Sequence, residues 1–139
     1  MWGKIFLKGI LKKFSMLDRR YLKNLIRMKS KIIDIGAGNG EFALWLHNVL
    51  RCEVVAIDVF VNDSHTVFPV KKFNGINIDY ADQSFDYSIF NFVLHHIADK
   101  DLNKVPKEAK KISKQIIIIE DFPIFSLKVW EAIYSFQYN

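Results

Sequence analysis

Apolar and polar positions alternate along this chain in two rhythms, and the changes between them mark out its elements. Lys31 to Ile35 is a short apolar run broken once by Asp34 and followed by glycines at 36, 38 and 40. Glu41 to Leu46 then takes up a helical spacing, so the stretch reads as strand, tight turn, helix. Cys52 to Asp58 is a nearly continuous β-branched run, as a buried parallel strand requires. Val67 to Phe73 predicts a short third strand, placed at an edge by Pro69. Only about eight residues separate it from the second strand, fewer than a helical crossover uses, so an irregular connection is expected. Asn74-Gly75 is a turn, and residues 77 to 84 form a loop. Phe85 to Phe92 predicts the fourth strand, and Val105, Ala109 and Ile112 a helix with Pro106 in its first turn. Lys114 to Glu120, with four consecutive isoleucines, predicts the fifth strand, and Leu127 to Phe136 a last helix.

Strands alternating with helices call for an α/β fold with a parallel sheet and right-handed crossovers. In such sheets ligands bind beyond the carboxyl ends of the strands. The loop Gly36 to Gly40, Asp58, Asn74 and Asn91 all follow predicted strands and converge on one crevice. Asp58 lies 22 positions after Gly36, the spacing at which an acid ending the second strand accepts hydrogen bonds from ribose hydroxyls. A nucleotide-like ligand is therefore expected.

Upstream, Trp2, Phe6, Leu7, Ile10, Leu11 and Phe14 share one helical face, and Leu17, Tyr21, Leu22, Leu25, Ile26 and Met28 make a second apolar set. Charge sharpens this division. The net charge is +5, but residues 1 to 31 hold ten basic side chains against Asp18 alone, so they carry +9 and the other 108 carry −4. Residues 1 to 30 thus read as a basic amphipathic helical arm, and 31 to 139 as one domain. The arm either covers the domain with its apolar face or lies on an anionic membrane surface. Nucleic acid is not favoured, because basic and aromatic residues do not interleave in the manner that stacks bases.

One cysteine, Cys52, excludes an intramolecular disulfide and a Cys-rich metal site; it reads as core. No metal site is expected, since His95 and His96 are adjacent and point about 100° apart on a helix; they read as packing or capping residues ahead of a catalytic base. No apolar run is long enough to span a membrane, and lysines interrupt any signal-like segment. A soluble, cytoplasmic protein is expected, peripheral to the membrane if the arm binds one.

The glycine spacing discriminates among nucleotide sites. A dinucleotide fingerprint has G-x-G-x-x-G, whereas here the third glycine comes one residue early and Glu41 follows it. No Lys-Ser or Lys-Thr follows to make a phosphate-cradling loop. A nicotinamide-dependent oxidoreductase is accordingly disfavoured.

Taken together, Asp34-Ile35-Gly36-Ala37-Gly38-Asn39-Gly40, Ala56-Ile57-Asp58, and Ser84-Phe85-Asp86 through Leu94-His95-His96-Ile97 resemble class I S-adenosylmethionine-dependent methyltransferases, Rossmann-like enzymes, of the small-molecule type. The resemblance covers residues 31 to 121. It implies a sheet of order 3-2-1-4-5, lacking the usual sixth and seventh strands, with the isoleucine-rich fifth strand at an edge where another copy could pair. It also implies S-adenosyl-L-methionine as cofactor. Gly36, Ala37, Gly38, Asn39 and Gly40 would pass under its methionine part, with Asp34 helping to hold the amino group. Asp58 would take the ribose hydroxyls, with Val59 beside the adenine. Asn74, followed by Gly75, stands where many relatives have Asp, near the adenine amino group, whose hydrogen bond its amide oxygen would accept. Asn91 and Phe92 would sit beside the sulfonium and the acceptor.

The expected activity is methyl transfer to a small-molecule or lipid-like acceptor by in-line displacement. The leaving group is already activated, so alignment and exclusion of water are the main requirements. No catalytic residue is assigned by the resemblance. The alternative is a truncated, non-catalytic remnant that binds cofactor or a partner.

Overall fold

The computed structural model of the chain describes residues 15–120. Its elements run α1 (Ser15–Leu25), β1 (Lys31–Ile35), α2 (Glu41–Leu50), β2 (Glu53–Asp58), β3 (Val70–Lys72), β4 (Phe85–Asn91), a 3₁₀ turn (Leu94–His96), α3 (Lys104–Ile112) and β5 (Ser113–Ile119). The five strands form one parallel sheet in the order β3-β2-β1-β4-β5. This is the α/β topology and strand order that the sequence implies. The expected segment Leu127 to Phe136 and the first half of the basic arm lie outside the described residues.

Alternation along the strands sorts side chains into two cores. Ile32, Ile89 and Ile117 face one side, where α1 contributes Leu22, the residue after it Ile26, and α2 Leu46 and Leu50. Ile33, Ile35, Phe90, Ile116 and Ile118 face the other, against Leu94, Val105, Ala109 and Ile112. Burying each such large side chain stabilises the fold by about 1.5–3 kcal/mol. Leu22 and Ile26, buried and four residues apart, therefore tie the end of the expected arm to the domain. Met28, from the same apolar set, is instead exposed. Cys52 is buried in the α1–α2 core, and burial pushes its thiol pKa up, which suits packing and not nucleophilic chemistry.

The fourth strand ends one residue earlier than expected, at Asn91, and the fifth begins and ends one residue earlier, at Ser113 and Ile119; the second and third differ for identifiable reasons. The second strand starts at Glu53, because the Cys52 N–H donates to Leu46 O and closes α2. The third is only Val70–Lys72, and no helix joins it to β2. Pro69 has no N–H to give the ladder, and the Val67 N–H donates to Asn39 O, 2.9 Å away. Val67 and Phe68 are thereby drawn toward the glycine loop.

At the amino edge of the sheet, Asp86 ties three segments together. It accepts the Lys31 N–H at 2.9 Å and the Lys114 ammonium at 2.9 Å, with Arg27 at 3.7 Å. The Lys31 N–H and then the Lys114 bond hold its carboxyl below the usual carboxylate range. The Asp86 of the Ser84-Phe85-Asp86 block is thus structural, at the edge opposite the glycine loop.

Candidate functional site

At the carboxyl edge of β1 the chain turns through Gly36–Gly40 into α2, and most of the loop's N–H groups are spent on the protein. Those of Gly36 and Ala37 donate to Ile57 O at 2.9 and 3.0 Å, that of Gly38 to Asp58 Oδ2 at 2.8 Å, and that of Gly40 to Ala37 O at 2.9 Å. The Glu41 N–H donates to Asn39 Oδ1 at 3.2 Å. A loop whose donors are engaged in this way is not arranged to grip a pyrophosphate, which binds through such N–H groups.

All three glycines of the loop lie at positive φ, Gly40 at +87 with Phe68 packed where its β-carbon would stand. Gly36 has φ +80, and a β-carbon there would collide with Val93 Cγ2. Gly38 has φ +59, and a β-carbon there would meet nothing within 4 Å. Protein packing explains Gly36 and Gly40. Gly38 leaves an open backbone surface on which a ligand can lie.

Asp34 is the least satisfied group in the site. It is 1% exposed, and neither carboxylate oxygen has a hydrogen-bond partner. Desolvation, and then the negative charge of Asp58, raise its pKa from 3.8 to about 7. A buried carboxyl without partners is costly unless something cationic or donating meets it.

Asp58 ends β2, with one oxygen on the Gly38 N–H and the other on the Phe60 N–H at 3.0 Å. Each carboxylate oxygen retains a further lone pair, so the side chain is oriented but not exhausted. Beyond it, Val59 is exposed, and its Cγ1 lies 3.1 Å from where a Gly75 β-carbon would stand. These residues form one wall. An open pocket of about 200 Å³ adjoins it, lined by Gly38, Asn39, Phe60 and His65 among others; it covers the loop and the chain after β2 but not Asp34 or Asn91.

Asn74 has a second task. Its Oδ1 accepts the N–H groups of Ile76 and Asn77 at 2.9 and 2.8 Å, which uses both lone pairs of the amide oxygen. The side chain builds the turn, so its oxygen is not left for the adenine amino group as expected, and the NH₂ group is what remains. Asn91 ends β4 opposite Ile119, and Phe92 follows in the left-handed region at φ 55, its N–H on Ile119 O at 2.7 Å. The tight turn there sends Val93 over Gly36, so the chain after β4 touches the glycine loop.

The fold thus brings Asp34, the loop, Asp58, Val59 with Gly75, and Val93 to one edge, and Asn91 and Phe92 adjoin them. One group was not singled out from sequence: Glu120, 4% exposed, directly after β5 at that same edge. No local signal marks it, because a single acid after a strand is common and its partners lie 25 and 26 residues earlier in the chain. Among the described residues, no three His, Cys, Asp or Glu side chains are grouped to hold a metal ion.

Comparison with known proteins bears on this edge. Residues 33–116 match the family model described as "Methyltransferase domain". A search of curated proteins finds no match. Among solved structures, the chain is similar to the PH0226 protein of Pyrococcus horikoshii OT3, at 22% identity and TM-score 0.60, covering 69% of this chain and 50% of that one. It is similar to a SAM dependent methyltransferase of Aquifex aeolicus, at 20% identity and TM-score 0.56, covering 69% and 57%. It is also similar to the YcgJ protein of Bacillus subtilis, at 17% identity and TM-score 0.62, covering 86% and 65%. The chain spans about half the length of the first structures it matches. At these identities the structural likeness speaks for the fold. The family match spans more than half of the chain and includes the end of β1, the glycine loop and β4, and on that ground the chain belongs to the methyltransferase-domain family.

Proposed function

We propose that this domain binds S-adenosyl-L-methionine across Gly36–Gly40 and directs methyl transfer to a small-molecule or lipid-like acceptor. The observation that carries the reading is Asp34, a carboxylate 1% exposed with both oxygens unpartnered. The cofactor's ammonium group is the kind of partner that such a site lacks. The open backbone at Gly38 fits the same reading, since a ligand can lie where no side chain projects.

Each residue then has a task. Asp34 would hold the amino group, directly or through water. Asp58, already oriented by the Gly38 and Phe60 N–H groups, would receive the ribose hydroxyls on its remaining lone pairs. Val59 and Gly75 would flank the adenine, and Asn74 would shape that end through its turn. Asn91 and Phe92 would border the reacting centre. The bound cofactor supplies a methyl group on a sulfonium, which leaves as a neutral thioether. What the chain contributes is alignment of the acceptor behind that methyl and exclusion of water.

The engaged N–H groups of the loop argue against a dinucleotide at the same place. A lipid-like acceptor is compatible with the exposed Arg20, Lys23, Arg27 and Lys29 at and after α1, which would favour an anionic surface. Equal sedimentation with neutral and anionic vesicles would remove that part of the proposal. The activity is tested by incubating the full chain with methyl-labelled S-adenosylmethionine and pools of hydroxyl, amine, thiol and lipid acceptors. Label transferred to an acceptor supports it, and cofactor binding without transfer to any pool points to a binding remnant.

A further inference from the structure

Glu120 is the first residue beyond β5, and its side chain is only 3% exposed. Both of its oxygens are engaged with the segment after β4. Oε1 accepts the Leu94 N–H at 2.6 Å, and Oε2 lies 2.7 Å from Nδ1 of His95. The first bond alone is enough to cap the 3₁₀ turn. The second does something further, because it fixes the orientation of an imidazole. An ionised carboxylate only accepts, so the hydrogen of this contact sits on Nδ1 and the neutral ring keeps Nε2 as a bare acceptor. The His95 side chain is 29% exposed, and its Nδ1 is turned to the buried carboxylate. The His96 ring lies alongside at 4.0 Å between centroids. The pair stands at the carboxyl edge of β4 and β5, close after Asn91 and Phe92, on the other side of β1 from Asp58.

We infer that His95 is the general base for an acceptor that attacks through a hydroxyl, and that Glu120 is its positioning residue. The inference rests on the methyl-transfer reading above and deepens it by naming the acceptor chemistry. His95 Nε2 takes the hydroxyl proton as the hydroxyl oxygen bonds to the methyl carbon and the methyl–sulfur bond gives its electron pair to sulfur. The imidazolium so formed faces the Glu120 carboxylate, which stabilises it. An acceptor already ionised needs no such base.

Glu120→Gln makes a sharp test because of what the amide does to the ring. Its oxygen can still accept the Leu94 N–H, but its NH₂ group donates to Nδ1, so the hydrogen of His95 moves to Nε2 and the base is disabled. Nitrogen-15 NMR of the full chain is expected to show the Nδ1–H tautomer in the natural protein and the Nε2–H tautomer in Glu120→Gln. With labelled S-adenosylmethionine and two probe acceptors, phenol and thiophenolate, both His95→Gln and Glu120→Gln should lower the phenol-to-thiophenolate rate ratio by about 100-fold or more, the scale of general-base catalysis. Calorimetry with S-adenosylhomocysteine accompanies each variant. Natural protein in the Nε2–H tautomer overturns the inference, as does an unchanged rate ratio. Natural protein that binds S-adenosylhomocysteine yet methylates no phenol overturns it too, while leaving the cofactor site standing. Absence of S-adenosylhomocysteine binding overturns the methyl-transfer reading and this inference with it.

Discussion

The carboxylates of Asp34 and Asp58 are close enough for the charge of one to raise the pKa of the other, yet they stand in opposite conditions: Asp58 is held by two backbone N–H groups, and Asp34, fully buried, by none. Burial and the Asp58 charge raise the Asp34 pKa to about 7, so the folded chain binds a proton that the unfolded chain has released above about 3.8. The stability tied to that proton is fully present below the unfolded value and is lost as pH rises through about 7, at roughly 1.4 kcal/mol per pH unit within the window. Asp34→Asn should therefore raise the melting temperature of the ligand-free domain at pH 8 while weakening S-adenosylmethionine binding. Melting curves from pH 4 to 8 check the first part; a variant that melts lower than the natural protein at pH 8 contradicts it.

Gly36→Ala is expected to destabilise the fold by about 2 kcal/mol or more, combining an unfavourable φ with the collision against Val93. Adding Val93→Ala should recover the part due to the collision and leave the part due to φ. Urea denaturation of the two single variants and the double variant measures this directly. Strict additivity would mean that the two residues do not interact.

Asn74 presents an NH₂ group where its oxygen is already spent on Ile76 and Asn77. Asn74→Asp keeps one oxygen for those N–H groups and supplies a second as an acceptor. We expect it to tighten binding of S-adenosylhomocysteine by severalfold, about 1 kcal/mol, as for one added hydrogen bond. Weaker binding by calorimetry would show that the adenine amino group does not reach this side chain.

Asp86→Ala should cost about 1–3 kcal/mol, because it strands the Lys31 N–H and the Lys114 ammonium. The depressed pKa of Asp86 means that its contribution is present above the ordinary carboxylate range and is lost as pH falls through the folded value. The gap in stability between variant and natural protein should accordingly narrow in acid. A gap that stays constant down to the acid transition would contradict the assignment.

The parts of this fold legible in the sequence are those in which side-chain period and backbone agree. The apolar residues within 31–35, 52–58 and 114–120 have a core on each side of the sheet and are read as strands for that reason, within one residue of the observed bounds. The strand at 70–72 is shorter than its apolar run because the Val67 N–H goes to Asn39 and Pro69 has none to give, a long-range choice that no local pattern records. The glycine loop and Asp58 are legible through their spacing. Glu120 is not, because its role depends on the 3₁₀ turn 26 residues earlier in the chain, and a lone acid after a strand looks like many others. Asn74 is recognisable as a turn residue, but the count of its lone pairs needs coordinates.

The central claim is that the crevice above Gly36–Gly40 takes S-adenosylmethionine. Isothermal titration of the full chain with S-adenosylhomocysteine, S-adenosylmethionine and NAD, repeated on Asp58→Ala, tests it most directly. The account predicts saturable binding of both sulfur ligands, none of NAD, and a loss of about 1.5–3 kcal/mol of binding free energy in the variant. Binding of NAD in place of the sulfur ligands, or affinity for them untouched by Asp58→Ala, would contradict it.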